Sequence, residues 1–144
     1  MADNLSKEQR SFTMSRIRSK NTAPEMKIRQ MVHSRGLRFR KHVASLPGCP
    51  DLVFSTARVV VFVDGDFWHG WRFPVWRDKL ADYWRAKISR NRRRDVKTFR
   101  ALRRAGWLVI RIWEHDVKRD AKLCVDRIEE RVRTRLRHSG IGRQ

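Results

Sequence analysis

Acidic residues are scarce in this chain of 144 residues, where 15 Asp and Glu stand against 35 Lys and Arg for a formal net charge of +20. Such an excess destabilises a compact chain by self-repulsion, and a polyanionic partner is what relieves it. Cysteine is nearly absent as well. Cys49 and Cys124 form neither a disulfide framework nor a CxxC pair, which excludes a disulfide-stapled secreted scaffold and points to a reducing compartment. No run approaches the roughly 20 apolar residues of a spanning helix, and the start has no signal-peptide h-region. Nucleic acid is therefore the first choice of partner over a membrane surface, and a cytoplasmic protein is expected. There is no internal repeat and no linker. The 40% hydrophobic content suits one domain with a core of its own.

The chemistry-bearing stretch runs from Leu46 to Gly70, LPGCPDLVFSTARVVVFVDGDFWHG. A Pro-Gly turn signal precedes Asp51-Leu52-Val53-Phe54, a short strand that opens on a carboxylate. After a polar break at Ser55-Thr56, the apolar run Arg58 to Asp64 is too short for a helix and reads as a buried central strand. Paired as a hairpin, the two strands bring Asp51 beside Val63, Asp64 and Asp66. Carboxylates gathered at a strand edge call for a cation, and oxygen ligation suits Mg²⁺. His69 follows closely, and an imidazole beside a metal site suggests activated water attacking a phosphodiester. Phe67-Trp68, between the carboxylates and the histidine, reads either as core or as a wedge for stacked bases.

The flanks read as follows. Ser6-Lys7-Glu8-Gln9 opens a short basic helix with thin apolar content, suited to lying on a partner. Thr22-Ala23-Pro24-Glu25 is a second capping box, leading a helix closed by Gly36 with Met26, Ile28, Met31 and Val32 inward. Leu37 to Val43 alternates like an edge strand, Trp71 to Arg77 reads as an irregular loop, and Asp78 as the cap of a helix through Tyr83 and Trp84. Between Arg85 and Arg104 the single acid is Asp95, one helical turn from Asn91. If that face meets His69, Asp95 would hold the imidazole tautomer; the bland alternative pairs it with neighbouring arginines. Trp107 to Trp113 is a third central-type strand, parallel to Val59 to Val63. Beyond Asp116 an amphipathic helix carries Leu123, Val125, Ile128 and Val132, and the Arg-rich end from Arg131 frays, with 134–144 a basic tail.

LPGCPDLVF and VVFVDGDFWHG resemble the very-short-patch repair (Vsr) mismatch endonucleases, and the likeness runs from the amino terminus to about Glu114. It takes in Thr22 to Glu25, the Asp51 turn, the Phe-Trp-His triplet, Asn91 to Asp95 and Trp107 to Glu114. The resemblance implies an α/β fold, a three-layer restriction-endonuclease-like core with a central mixed sheet flanked by helices. It implies one endonuclease domain whose first 20 residues form a DNA-binding arm, with Met14 as an apolar wedge in the minor groove. Glu25 matches a glutamate that faces the active site, beyond its capping job, and Trp84 joins Phe67 and Trp68 in a major-groove wedge. Asp51, His69, Asp95, Glu25 and Asp64 are the catalytic candidates. Asp51, the Val63 carbonyl and Asp64 are the metal candidates, for Mg²⁺. Asn91, Arg92 and Arg93 join the candidate DNA contacts. The implied substrate is double-stranded DNA with a T:G mismatch left by methylcytosine deamination, nicked beside the thymine. A monomer on the bacterial nucleoid is expected, linked in function to a cytosine methyltransferase and to mismatch-repair proteins.

Two departures from the family stand out. Its structural zinc is held in three places where this chain has Asp66, the Trp71 to Phe73 region and His115, so no zinc is expected, and Asp66 and His115 should lie close enough for a charge-assisted hydrogen bond. Asp64 stands where the family usually has another histidine, which moves the site toward acidic-cluster chemistry. Two alternatives therefore remain open: a restriction-like or mobile-element nuclease cutting matched DNA, and a non-catalytic basic DNA-binding protein.

Overall fold

From Val59 to Val63 the chain is continuously apolar, and a strand of that kind is stable where both sheet faces are covered. The computed structural model, which describes residues 20–138, has that arrangement. Strand β3 (Val59–Asp64), buried at every position, lies between the antiparallel β2 (Leu52–Phe54) and the parallel β4 (Leu108–Trp113). A two-residue edge strand, β1 (Arg40–Lys41), pairs antiparallel with β2 and completes the order β1-β2-β3-β4. Helices α1 (Ala23–Ser34) and α4 (Glu114–His138) pack on one face of the sheet; a short α2 (Phe73–Trp76) leads to the long α3 (Asp82–Arg104) on the other. This is the mixed-sheet α/β arrangement of a restriction-endonuclease-like core.

The period of two along the strands decides what each layer receives. Val59, Val61 and Val63 of β3 and Ile110 and Ile112 of β4 pack with Ile28 and Val32 of α1 and Val125 and Ile128 of α4. Val60 and Phe62 face the other way, onto Phe99 and Leu102 of α3. Asp64 and Arg111 share that second parity, so the register that builds two apolar layers also places a carboxylate and a guanidinium on the α3 side. The parallel pairing of β3 with β4 and the antiparallel hairpin of β2 with β3 agree with the sequence reading.

Several local expectations are corrected. The edge strand is confined to Arg40–Lys41, because the Leu37 amide bonds back to Val32 O at the end of α1 and the chain turns at His42 with φ +49°. Trp71 to Arg77 is not irregular throughout, since α2 and a 3₁₀ turn (Arg77–Lys79) occupy its second half. Asp78 lies in that turn and does not cap α3; Leu80 is extended and Ala81 is the cap residue. Met26 and Leu123 point outward, at 43% and 64% exposure. Helix α4 continues to His138 instead of fraying from Arg131. Val132 is buried there, and the Arg135 guanidinium donates to Ala57 O, Arg58 O and Gly106 O. The amino-terminal arm with Met14, and 139–144 of the tail, lie outside the described residues. No helix among the described residues is long and apolar enough to cross a membrane.

Ile128 is fully buried between α4 and the sheet, so Ile128→Ala is expected to cost about 2–5 kcal/mol in chemical denaturation. Leu123→Ala, at an exposed position of the same helix, is expected to stay within about 0.5 kcal/mol.

Candidate active site

Asp51 enters the site from the turn before β2. Its amide donates to Val61 O at 3.0 Å and its Oδ2 accepts the Val63 amide at 2.7 Å, so the carboxylate replaces a rung of the β2–β3 ladder. The turn depends on Gly48, at φ +75°, where a Cβ would stand 2.4 Å from Thr98 Cγ2 on α3. Beside Asp51 lies Glu25, only 1% exposed. Thr22 Oγ1 caps the Glu25 amide, as a capping box requires, but the Glu25 carboxylate has other partners. It accepts the Asn21 amide and the Arg29 guanidinium, each at 3.0 Å, and pairs with His42 Nε2 at 2.5 Å. Glu25, His42 and Asp51 form one group whose ligand atoms lie within 4.8 Å of one another.

A second group forms around His69. The loop after β3 doubles back, with His69 N bonded to Gly65 O and Trp71 N to Asp66 O. Gly70, at φ +72°, presses on α3 so closely that a Cβ would lie 2.7 Å from Arg92 Cδ. Asn91 Nδ2 holds the loop through Trp68 O at 2.9 Å, and one turn further along the same helix face Asp95 Oδ2 meets His69 Nδ1 at 2.7 Å. The His69 Nε2 atom is 3.4 Å from Asp64 Oδ1. With its proton on Nδ1 toward Asp95, the ring offers Nε2 as a proton acceptor. Asp95 also accepts Arg111 Nη2 at 2.7 Å, so its arginine partner comes from β4 and not from its own helix.

The metal candidates are thus divided. Asp51 groups with Glu25 and His42, Asp64 groups with His69 and Asp95, and Val63 stands between Asp51 and Asp64 in sequence and space. His42 and Asp51 of the first group and all three residues of the second line one cleft of about 960 Å³. Burial pushes the Asp51 carboxyl up to about 8; the Val63 amide opposes the shift, and the Glu25 and Asp64 carboxylates add to it. Burial likewise raises Asp64, against the pull of His69 and Arg111. Buried, mutually repelling carboxylates are what a hard divalent cation relieves, and each group offers oxygen donors to one.

The aromatic candidates do come together. Phe67 lies 5.0 Å from Trp68 and 5.8 Å from Trp84 between ring centroids, and Trp68 lies 5.4 Å from Trp84. Phe67 is 37% exposed and Trp84 only 5%, so the first is presented outward while the second is a buried base beneath it. Trp76 stacks on Phe67 at 5.7 Å. On the other side of His69 a pocket of about 480 Å³ is lined by Arg72, Arg77, Arg92, Arg93 and Arg111.

The zinc positions hold a different arrangement. His115 Nδ1 and Asp66 Oδ1 are 2.8 Å apart, the expected pair, and the Trp71 ring lies 3.9 Å from the His115 ring. Phe73 is buried. A tetrahedral zinc site needs four donors, and with two indole or phenyl rings in place and no thiolate these residues do not fit one.

Sequence reasoning missed His42, Arg111 and Trp76. Arg111 had a signal, being the one charge in the apolar strand Leu108–Trp113. His42 and Trp76 had none, because their roles arise from a turn and a short helix that no local pattern announces.

A mixed α/β sheet with buried carboxylates around a histidine at the end of two parallel strands is consistent with the restriction-endonuclease-like class. Residues 2–74 match the family model described as DNA mismatch endonuclease Vsr. The type II nicking enzyme V.XorIIP of Xanthomonas oryzae pv. oryzae is 47% identical over 116 residues, covering 79% of this chain and 85% of the relative. The type II nicking enzyme V.NmeDIP of Neisseria meningitidis serogroup C is 39% identical over 137 residues, 91% and 90% of the two chains. The DNA mismatch endonuclease Vsr of Escherichia coli K12 is 35% identical over 137 residues, 92% and 86%. The chain belongs to the DNA mismatch endonuclease Vsr family and is a DNA endonuclease. The non-catalytic alternative is thereby set aside.

The raised Asp51 carboxyl gives a signed prediction. Between its ordinary value of 3.8 and about 8 the folded protein keeps a proton that the unfolded chain has released, so stability falls as pH rises through that window. Metal-free protein is expected to melt at progressively lower temperature from about pH 5 to about pH 9, and Asp51→Asn to flatten the slope. A divalent cation held by Asp51 would compete with that proton, so the stabilising effect of added Mg²⁺ in the same melts should grow with pH.

Proposed function

We propose that this endonuclease nicks one strand of duplex DNA beside the thymine of a T:G mismatch, with Mg²⁺, and so initiates very-short-patch repair. The observation that carries the reading is the His69 imidazole, held at Nδ1 by Asp95, in a cleft lined also by Asp51, Asp64 and the Phe67–Trp68 ring pair. His69 Nε2 takes the proton of the attacking water and Asp95 stabilises the cation that results, a contribution of about 10²–10⁴-fold in rate. Asp51, Asp64 and the Val63 carbonyl would hold Mg²⁺, which supplies charge neutralisation at the phosphate and at the leaving oxygen. Glu25 acts behind Asp51, in reach of it and of His42, to orient the group.

Recognition follows from stacking. Opening a base step costs a few kcal/mol, least at a mismatch, while an aromatic ring stacked on a base returns about 1–3 kcal/mol. Phe67 and Trp68, braced by Trp84, would enter the major groove and Met14 of the amino-terminal arm the minor groove. Arg92 and Arg93 would contact phosphates, and Asn91 would serve the DNA interface through the Trp68 carbonyl it holds. The relatives include proteins named as nicking enzymes and one named as a mismatch endonuclease, which supports strand nicking and mismatch recognition together. A T:G pair made by methylcytosine deamination ties the enzyme functionally to a cytosine methyltransferase and to mismatch-repair proteins. We place it as a monomer in the bacterial cytoplasm, at the nucleoid.

Asp64 favours a second reading, because a carboxylate beside His69 is the chemistry of nucleases that cut matched DNA. End-labelled duplexes with and without one T:G pair separate the two. Nicking of the mismatched strand is expected to exceed that of the matched duplex by ~100-fold or more and to vanish with chelator. Asp51→Ala and His69→Ala should each lower the rate by at least ~10²-fold with DNA affinity little changed. Equal cleavage of matched DNA would establish the second reading instead.

A further inference from the structure

Arg111 is the one charged residue of β4, and strand alternation sends it to the α3 face while Ile110 and Ile112 go to the opposite core. There its Nε donates to Asp64 Oδ2 at 2.8 Å and its Nη2 to Asp95 Oδ2 at 2.7 Å. The guanidinium carbon lies 4.1 Å from the Trp113 ring centroid and 5.0 Å from that of Phe99, so aromatic faces fix the plane of the fork. Asp64 and Asp95 are the two carboxylates that bracket the His69 ring, at Nε2 and Nδ1 respectively. One side chain therefore spans both acids on either side of the imidazole.

We propose that Arg111 is the positioning residue of the nicking centre, its fork fixing Asp64 and Asp95 so that His69 keeps Nδ1 on Asp95 and Nε2 open to the cleft. The proposal rests on the reading of His69 as the general base. Asp64 and Asp95 are both buried, and two carboxylates around one ring repel each other. Without the guanidinium, Asp64 would rotate to close its 3.4 Å gap to Nε2 and occupy the nitrogen that must face the water. With Oδ2 held by Arg111, the other oxygen of Asp64, Oδ1, is kept at 3.4 Å from Nε2. A planar fork with two N–H groups at fixed separation can serve both acids at once; an ammonium is a point charge and cannot.

The test compares single-turnover nicking of a T:G duplex, DNA affinity and melting temperature for the intact enzyme, Arg111→Lys, Arg111→Ala and His69→Ala. Both Arg111 variants are expected to lose about 10²-fold in the nicking step, the scale of a misplacement of about 1 Å, with affinity within a few-fold. Millimolar guanidinium ion should restore part of the rate to Arg111→Ala and none to His69→Ala. In ¹⁵N-imidazole spectra of metal-free protein, His69 should be protonated on Nδ1 in the intact enzyme and a mixture in Arg111→Lys. An Arg111→Lys enzyme that nicks at the intact rate overturns the proposal, as does loss of rate without guanidinium rescue. If Arg111→Ala does not fold, Arg111→Lys and its spectra decide alone. Failure of the intact enzyme to nick any duplex, or full activity in His69→Ala, would instead overturn the general-base reading on which the proposal stands.

Discussion

Acids taken out of water beside one another repel and lose their hydration together, and the architecture around His69 answers that constraint. Glu25, Asp51, Asp64 and Asp95 are all at least nine-tenths buried. Each has been given a donor suited to its place. Glu25 has Arg29 and His42, Asp51 has the Val63 amide, and Asp64 and Asp95 share Arg111. The compensation is incomplete at Asp51, whose carboxyl remains shifted far upward by burial. That residual imbalance lies where a divalent cation would do most to lower the energy.

How legible was this in the sequence? The hairpin, the parallel β3–β4 pair and the Asn91–Asp95 helix face follow from periods of two and of 3.6, which are set by backbone geometry and survive in any context. The meeting of His69 with Asp95 was readable because a lone acid in a basic helix has few reasons to be there. The split of the carboxylates into two groups was not readable. It depends on His42, which takes φ +49° at the end of a two-residue strand, and on the side-chain directions of Glu25, where the capping pattern predicted a local partner and tertiary packing supplied different ones. Helix boundaries failed for the same reason at Asp78 and Arg131: local signals were overridden by an extended Leu80 in one case and by the Arg135 carbonyl contacts in the other.

On the proposed reading, affinity and chemistry fall to different parts of the chain. Ten Lys and Arg of α3 stand against two acids, whereas the eight of α4 stand against six, so the excess of positive charge lies on α3, and a surface of that kind attracts a phosphate backbone without regard to sequence. Discrimination needs something that distinguishes one base step from another, and on the proposed reading that is the exposed Phe67 on its buried Trp84 base. A wedge that yielded on contact would lose to the stack it enters. The Gly70 contact and the Asn91 hydrogen bond tie the ring pair and the imidazole to one helix, which is what the proposed wedge and the proposed general base both require.

The residues at the zinc positions show how a crosslink can be replaced. A structural zinc would tie the loop after β3 to the start of α4, and the same two segments are joined here by Asp66–His115, by the Asp66 amide on Glu114 Oε1 at 3.0 Å, and by Trp71 lying against His115. None of these contacts matches the strength of a metal with four ligands. Together they need only resist the displacement of a loop already held from its other side by Asn91 and Gly70. Because that loop carries His69, the proposed general base, the tie bears on the geometry of the site, and a weaker one is sufficient where α3 holds the loop from its other side.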